Sequence, residues 1–285
     1  MSDDAYGATL AKRQLSRRLT ELRHASGHTA NHVCDLLDWG RGKVGRFEAN
    51  QWKRPDMSDI RDLLRIYGVD SPEREHIEQL AMKARVKPWW RDYAEVFQNE
   101  FPGFENDATR IRVFMPLVLP GLLQTRDYLE AVLLPSLRSP AWQRKAIEAR
   151  LQRQEILDRV DGTAPQVLAV ITEASLTYRW GTTQDRRDQI LHLVELSQRP
   201  NIELRIQRFI DGPATGMHSM VNIFDFADRE PSVVYLETDT TIEEVSKAED
   251  VKTYIEGFSR VHDGALEPGN TTTYLKHLAE QLELA

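Results

Sequence analysis

The chain of 285 residues is long enough for a small domain and a mid-sized one, and its 41% hydrophobic content supplies a core for each. Its net charge of −7 excludes a uniformly basic coat for nucleic acid, and a single cysteine, Cys34, excludes an intrachain disulfide framework. A secretory leader pattern and an apolar run long enough to span a bilayer are both missing, so a cytoplasmic protein without membrane contact is expected.

The charge is unevenly placed. Between Lys12 and Arg54 ten basic residues face four acidic ones, a net of +6 that leaves −13 on the rest of the chain. A basic head on an acidic body suits a DNA binder, because the body repels phosphate while the head attracts it. Within this head, Leu15, Leu19, Leu22 and Ala25 recur at helical spacing, which predicts a packing helix from Leu10 to Ser26 closed by Gly27. Thr29 can cap a short helix with Val33, Leu36 and Leu37 on one apolar face, and Asp38 to Gly40 can turn the chain. A second short helix then buries Val44 and Phe47 and presents Arg41, Lys43 and Arg46. Two helices joined in this way read as a helix-turn-helix sized for the DNA major groove.

In the loop that follows, Lys53 and Arg54 are expected on phosphates, whereas Trp52 either stacks at the DNA backbone or packs down. Asp56 and Asp59, in capping-box spacing, precede a helix carrying Ile60, Leu63, Leu64 and Tyr67 that Gly68 closes. Ser71 and Pro72 open a fifth helix through Ile77, Leu80, Ala81 and Ala84. An all-α bundle over residues 1–86 results. Residues 87–108, with Pro88, Trp89 and Trp90, break the periodicity and read as an aromatic linker whose rings pack on the next domain.

Chemistry-bearing patterns are sparse. His24, His28 and His32 recur every four residues near Cys34, but Gly27 and Thr29 interrupt the helix between them, so the imidazoles do not share a face for a metal. No Gly-rich phosphate loop, nucleophile elbow, zinc-protease motif or cysteine pair occurs, so no enzyme, cofactor or metal is expected. The acidic residues Glu237, Asp239, Glu243, Glu244, Glu249 and Asp250 read as solvated.

Residues 109–285 predict an α+β domain with one mixed sheet. Ile111, Val113 and Met115 alternate with Arg110 and Arg112 in a half-buried strand. A tight Pro120-Gly121 turn leads to a helix with Tyr128, Leu129, Val132 and Leu133, and Ser139 opens a long basic helix through Leu157. Strands follow at Gln166 to Thr172, Ile202 to Gln207, Met220 to Phe226 and Val233 to Glu237. Helices are expected at Thr183 to Gln198, Ile242 to His262 and Thr273 to Leu284.

Two stretches carry family resemblance. The run from Arg41 to Glu48, ahead of a basic loop and Pro55, resembles the XRE-type helix-turn-helix domain of phage-repressor-like regulators over about residues 10–70. The resemblance implies a recognition helix starting at Gly40, base reading from Arg41, Gly42 and Gly45, phosphate contacts from Asn50 to Arg54, and Glu48 as an ion-pair partner. The sequence departs from it at Gly40, Gly42 and Gly45, where Ser or Thr is frequent, and at Ala30, where Gln is frequent. Each interior helical Gly costs ~1 kcal/mol relative to Ala, so Gly42 and Gly45 together weaken the helix by ~2 kcal/mol. Base reading then falls on Arg41, Lys43 and Arg46, which favour the paired acceptors of guanine. The DNA-contact set is Thr29, Arg41, Gly42, Lys43, Gly45, Arg46, Asn50, Lys53 and Arg54.

In the second domain, Leu119 to Thr125, Arg150 to Gln154, Glu173 to Leu176, Arg199 to Ile202 and Val234 to Thr238 follow in an order similar to the actinobacterial antitoxin-like XRE regulators. The genes of that family commonly neighbour one for a small toxin-like protein, and its members are implicated in developmental and antibiotic-production control. The resemblance implies a small partner protein but no catalytic residue. Leu122, Leu123, Gln124, Thr125, Arg150 and Arg153 either rim a partner or ligand groove or serve as internal packing and polar contacts. Two functions follow: a homodimeric, sequence-specific transcriptional regulator of double-stranded DNA tuned by its partner, or a sensor or unrecognised enzyme whose C-terminal domain binds a small molecule beneath a weak DNA head.

Overall fold

Leu15, Leu19 and Leu22 share the buried side of α1 (Ala8–Ala25), which ends where Gly27 takes a left-handed φ of +75°. The computed structural model describes residues 8–52, 54–97, 99–133, 138–212, 217, 219–227, 230–237 and 242–283. They belong to two units, Met1–Asp92 and Tyr93–Ala285.

In the first unit α1 is followed by α2 (Ala30–Leu36), α3 (Lys43–Glu48), α4 (Met57–Ile66) and α5 (Ser71–Ala84). Leu15, Val33, Cys34, Val44, Phe47, Ile60, Leu64 and Ile77 meet in one core. The caps follow from the sequence: the Thr29 hydroxyl accepts from His32 N at 3.2 Å, the Asp56 carboxylate from Ser58 N at 3.1 Å, and Asp70 from Glu73 N at 3.4 Å. Two expectations change. Leu36 is 50% exposed, because Val33 and Leu37 lie one turn apart on the core side and Leu36 falls off it. Asp59 does not complete a capping box but accepts an ion pair from Lys43 at 2.7 Å.

The second unit contains α6 (Phe101–Asp107), β1 (Arg110–Met115), α7 (Arg126–Leu133), α8 (Pro140–Gln154), β2 (Gln166–Thr172), α9 (Glu173–Thr177), α10 (Thr183–Leu196) and β3 (Ile202–Gln207). It continues with β4 (Met220–Asp225), β5 (Val233–Glu237), β6 (Ile242–Val245), α11 (Ala248–Gly264) and α12 (Pro268–Glu283). One mixed sheet runs β3-β2-β1-β4-β5-β6, with β1, β2 and β3 parallel and β4, β5 and β6 joined antiparallel. Its register sets Val113 between Ala169 on β2 and Asn222 on β4.

The pleat divides the sheet into two surfaces. Phe114, Val170, Val221, Ile223 and Val234 pack under Val251, Phe258 and Val261 of α11. On the opposite surface α6 sets Phe101 edge-on to Phe224 and Tyr235, with centroids 5.2 and 5.4 Å apart. Residues 101–107, inside the stretch expected as a linker, are therefore a helix whose aromatics cover the sheet. Ile242–Val245, expected to begin a long helix, pair with β5 as an edge strand, and the helix starts at Ala248. Thr238 and Asp239 lie outside the described residues.

Candidate functional site

The head has a helix-turn-helix geometry whose details depend on backbone conformation. Gly42 is the N-cap of α3 at φ +83°, a left-handed conformation that a Cβ disfavours, so α3 starts at Lys43 and not at Gly40. Gly42 therefore meets a requirement of the turn and is not a weak point inside the helix; Gly45 alone occupies the interior. Behind this helix, Arg23 holds Glu48 through two nitrogens, Nη2 donating to Oε2 at 3.0 Å. The hydrogen bond to Glu48 raises the Arg23 pKa above its ordinary value, so the pair is structural.

The expected DNA-contact residues divide into engaged and free groups. Lys43 pairs with Asp59 and sits 3.9 Å over the Trp39 ring, which occupies its charge within the fold. Asn50 takes a φ of +57° and its side-chain Oδ1 accepts from Ser16 Oγ at 3.4 Å, while Trp52 Nε1 donates to Ser16 Oγ and to the Phe47 backbone carbonyl. Trp52 is thus packed down. On α1, Arg17 and Arg18 pair with Glu21, and Arg18 also pairs with Glu73. Arg41, Arg46 and Arg54 are exposed and make no ion pair among the described residues. Thr29 caps α2, Gly45 has open space where a Cβ would stand, and Lys53 lies outside the described residues.

In the second unit, Leu119 to Thr125 forms a buried turn and not an exposed lip. Leu122 and Leu123 are buried, and the chain closes a tight turn from Leu123 N to the Pro120 carbonyl at 2.8 Å. Buried backbone groups need partners, and three glutamines supply them. Gln124 Nε2 donates to Leu119 O at 2.6 Å, Gln154 Nε2 to Gly121 O and Gln124 O at 2.9 and 2.8 Å, and Gln189 Nε2 to Leu123 O at 2.8 Å. Gln189 Oε1 also accepts from Thr125 N at 2.7 Å.

This turn, α8 and the α6 side of the sheet border a half-open cavity of about 560 Å³. Arg150, Arg153 and Gln154 lie at i, i+3 and i+4 on α8 and so project from one side of it. Of the expected groove residues, Leu122, Gln124, Arg150 and Arg153 line the cavity. Leu123 and Thr125 do not, the first being in the core and the second committed to Gln189 and the start of α7. Glu105, Asn222 and Glu237 also line it. Of these, Glu105 was hidden by the Pro-Gly content of its segment; the signal for its helix is Phe101 and Phe104 at i, i+3, with Pro102 in the first turn.

The electrostatics of the two arginines differ. Arg153 binds Glu105 through two nitrogens at 2.7 and 2.8 Å, with side chains 11% and 4% exposed. Burial alone would lower its pKa, but the charge and hydrogen bonds of Glu105 outweigh that and leave it raised. Arg150 makes no ion pair or hydrogen bond among the described residues, and its Nη1 is buried without a partner. Burial, then repulsion from Arg153, hold its pKa below the ordinary guanidinium value, with Glu237 opposing. Among the described residues no three His, Cys, Asp or Glu side chains are grouped to hold a metal, and no helix is long and apolar enough to cross a membrane.

Comparison with known proteins is consistent with this division. Residues 14–77 match the family described as a helix-turn-helix domain, which makes the chain, at a coarse level, a DNA-binding regulator. No curated protein and no solved structure matches it. Residues 98–277, more than half of its length, match the family described as a domain of unknown function (DUF5753), and the chain belongs to that family.

Proposed function

We propose that this chain is a sequence-specific, XRE-type transcriptional regulator that reads bases with Arg41 and Arg46 and touches phosphate with Arg54. The observation that carries the reading is the contrast in charge: Lys43, Arg18 and Arg23 are committed to carboxylates, whereas Arg41 just before α3 and Arg46 on it stand exposed without an ion pair among the described residues. Arginines free to form paired hydrogen bonds favour guanine, so the operator half-site contains G. One short recognition helix offers few base contacts, which favours binding as a homodimer.

The C-terminal unit, in this reading, carries no chemistry of its own and docks a small toxin-like partner protein, as in the antitoxin-like regulators it resembles. A cleft lined by Leu117, Tyr178 and Phe209 supports this: all three are exposed, and Ile210 beside them is 84% exposed. The test is fluorescence anisotropy of the full chain on the duplex upstream of its own gene and on a shuffled duplex. Preference for the upstream duplex supports the reading; equal binding to both removes it.

A further inference from the structure

The cavity of the C-terminal unit has mixed walls, with Val113, Leu119, Leu129 and Trp142 beside charged and amide side chains. Its volume of about 560 Å³ falls in the range of small-molecule sites. Two polar side chains on these walls are placed to meet a ligand. Asn222 sits in the middle of the sheet, paired through its backbone with Val113 and Tyr235, and is 5% exposed. Its side chain lines the cavity. Arg150 has a buried Nη1 without a partner. Leaving such a nitrogen unmatched costs stability, and a ligand that satisfies it offsets that cost.

The charge balance narrows the ligand. Arg153 is neutralised by Glu105, and Glu95 by Lys145 at 2.8 Å. Arg138 lies over the Trp142 ring at 5.3 Å, and Glu237 is exposed. Neither Arg138 nor Arg150 makes an ion pair among the described residues, but Arg138 is exposed over its ring, whereas Arg150 has a buried nitrogen without a partner and only the exposed Glu237 acting on its charge. One buried guanidinium without an ion pair calls for one negative charge beside it.

We propose that this cavity binds a small amphipathic carboxylate, with Arg150 as its counter-ion, Asn222 as a hydrogen-bond partner and an apolar body against the sheet. The site makes the C-terminal unit a sensor of a small acid, which goes beyond DNA reading by the head.

The test is calorimetric titration of the full chain with decanoate and indole-3-acetate, each beside its neutral alcohol, 1-decanol and indole-3-ethanol, and with decyl phosphate, all below micellar concentration. Binding is read on the protein alone, so the outcome is independent of DNA binding. At least one carboxylate is expected to bind about tenfold or more tightly than its alcohol, the difference supplied by a charge-assisted hydrogen bond. Arg150→Gln is expected to bring acid and alcohol to equal affinity, and Arg150→Lys to restore part of the preference. No binding by either acid, equal binding of acid and alcohol to the unaltered chain, or tighter binding of decyl phosphate than decanoate overturns the proposal. Those comparisons on the unaltered chain stand even where Arg150→Gln fails to fold.

Discussion

Gly121 and the guanidinium of Arg153 are packed so closely that a methyl group at Gly121 would lie 3.2 Å from Nη2 and 3.4 Å from Nη1. Arg153 cannot retreat, because Glu105 binds it through two nitrogens. The glycine of the Pro-Gly turn is therefore demanded by an arginine on α8, which ties together two stretches that lie 32 residues apart in the sequence. Gly121→Ala is expected to lower stability by about 1–3 kcal/mol in chemical denaturation, the usual cost of overpacking. Gly40→Ala, with nothing within 4 Å of its Cβ position, is the control and is expected to stay within about 0.5 kcal/mol.

The two glycines around α3 should respond in opposite directions. Gly45 lies in the helix with open space at its Cβ position, so Gly45→Ala is expected to stabilise the head by up to ~1 kcal/mol. Gly42 sits at φ +83°, where Gly42→Ala is expected to cost ~1–2 kcal/mol. Thermal melts of the two variants check the signs; stabilisation by both would mean that the turn does not need its left-handed residue.

Removing one partner of the Glu105–Arg153 pair leaves a buried charge uncompensated. Glu105→Ala is expected to cost about 3–5 kcal/mol, whereas Glu105→Met combined with Arg153→Met should lie closer to the unaltered chain than either single change. Urea denaturation of the unaltered chain, Glu105→Met, Arg153→Met and the double variant measures the coupling.

Much of the fold was legible because periodicity reports burial. Strands β2, β3 and β5 fall at their expected residues, since their β-branched and apolar residues alternate or run on between turn signals. β6 was not legible: Ile242, Glu243, Glu244 and Val245 carry the acidic residues of a helix start, and only pairing with β5 makes them a strand. α6 was missed because Pro102 and Gly103 imitate a linker, while the burial of Phe104 and Glu105 comes from long-range contacts. In the head, sequence marked the cations but not their commitments. Asp59 is 16 residues from Lys43, and nothing local shows that the two meet.

His192 on α10 gives the second unit a pH dependence. Burial lowers its pKa below 6.5, with the charge of Glu195 opposing and that of Arg199 assisting. The folded state thus disfavours the protonated ring, so as pH falls below 6.5 the unfolded state takes up the proton first and stability declines. The decline ends once the pH passes below the folded-state pKa. Replacing His192 with Gln should flatten the stability curve as pH falls below 6.5. An unchanged slope would assign the dependence to other groups.

The measurement that bears most directly on the central claim compares the full chain with an Arg41→Ala/Arg46→Ala variant, on the upstream duplex and a shuffled one, across a salt series. If these arginines read bases, the variant loses most of its preference for the upstream duplex, a change of about 1–3 kcal/mol for each paired contact. Its weak binding to the shuffled duplex should then change much less. A variant that keeps the full preference, or one that loses affinity equally on both duplexes with a reduced salt slope, would contradict base reading and confine Arg41 and Arg46 to phosphate.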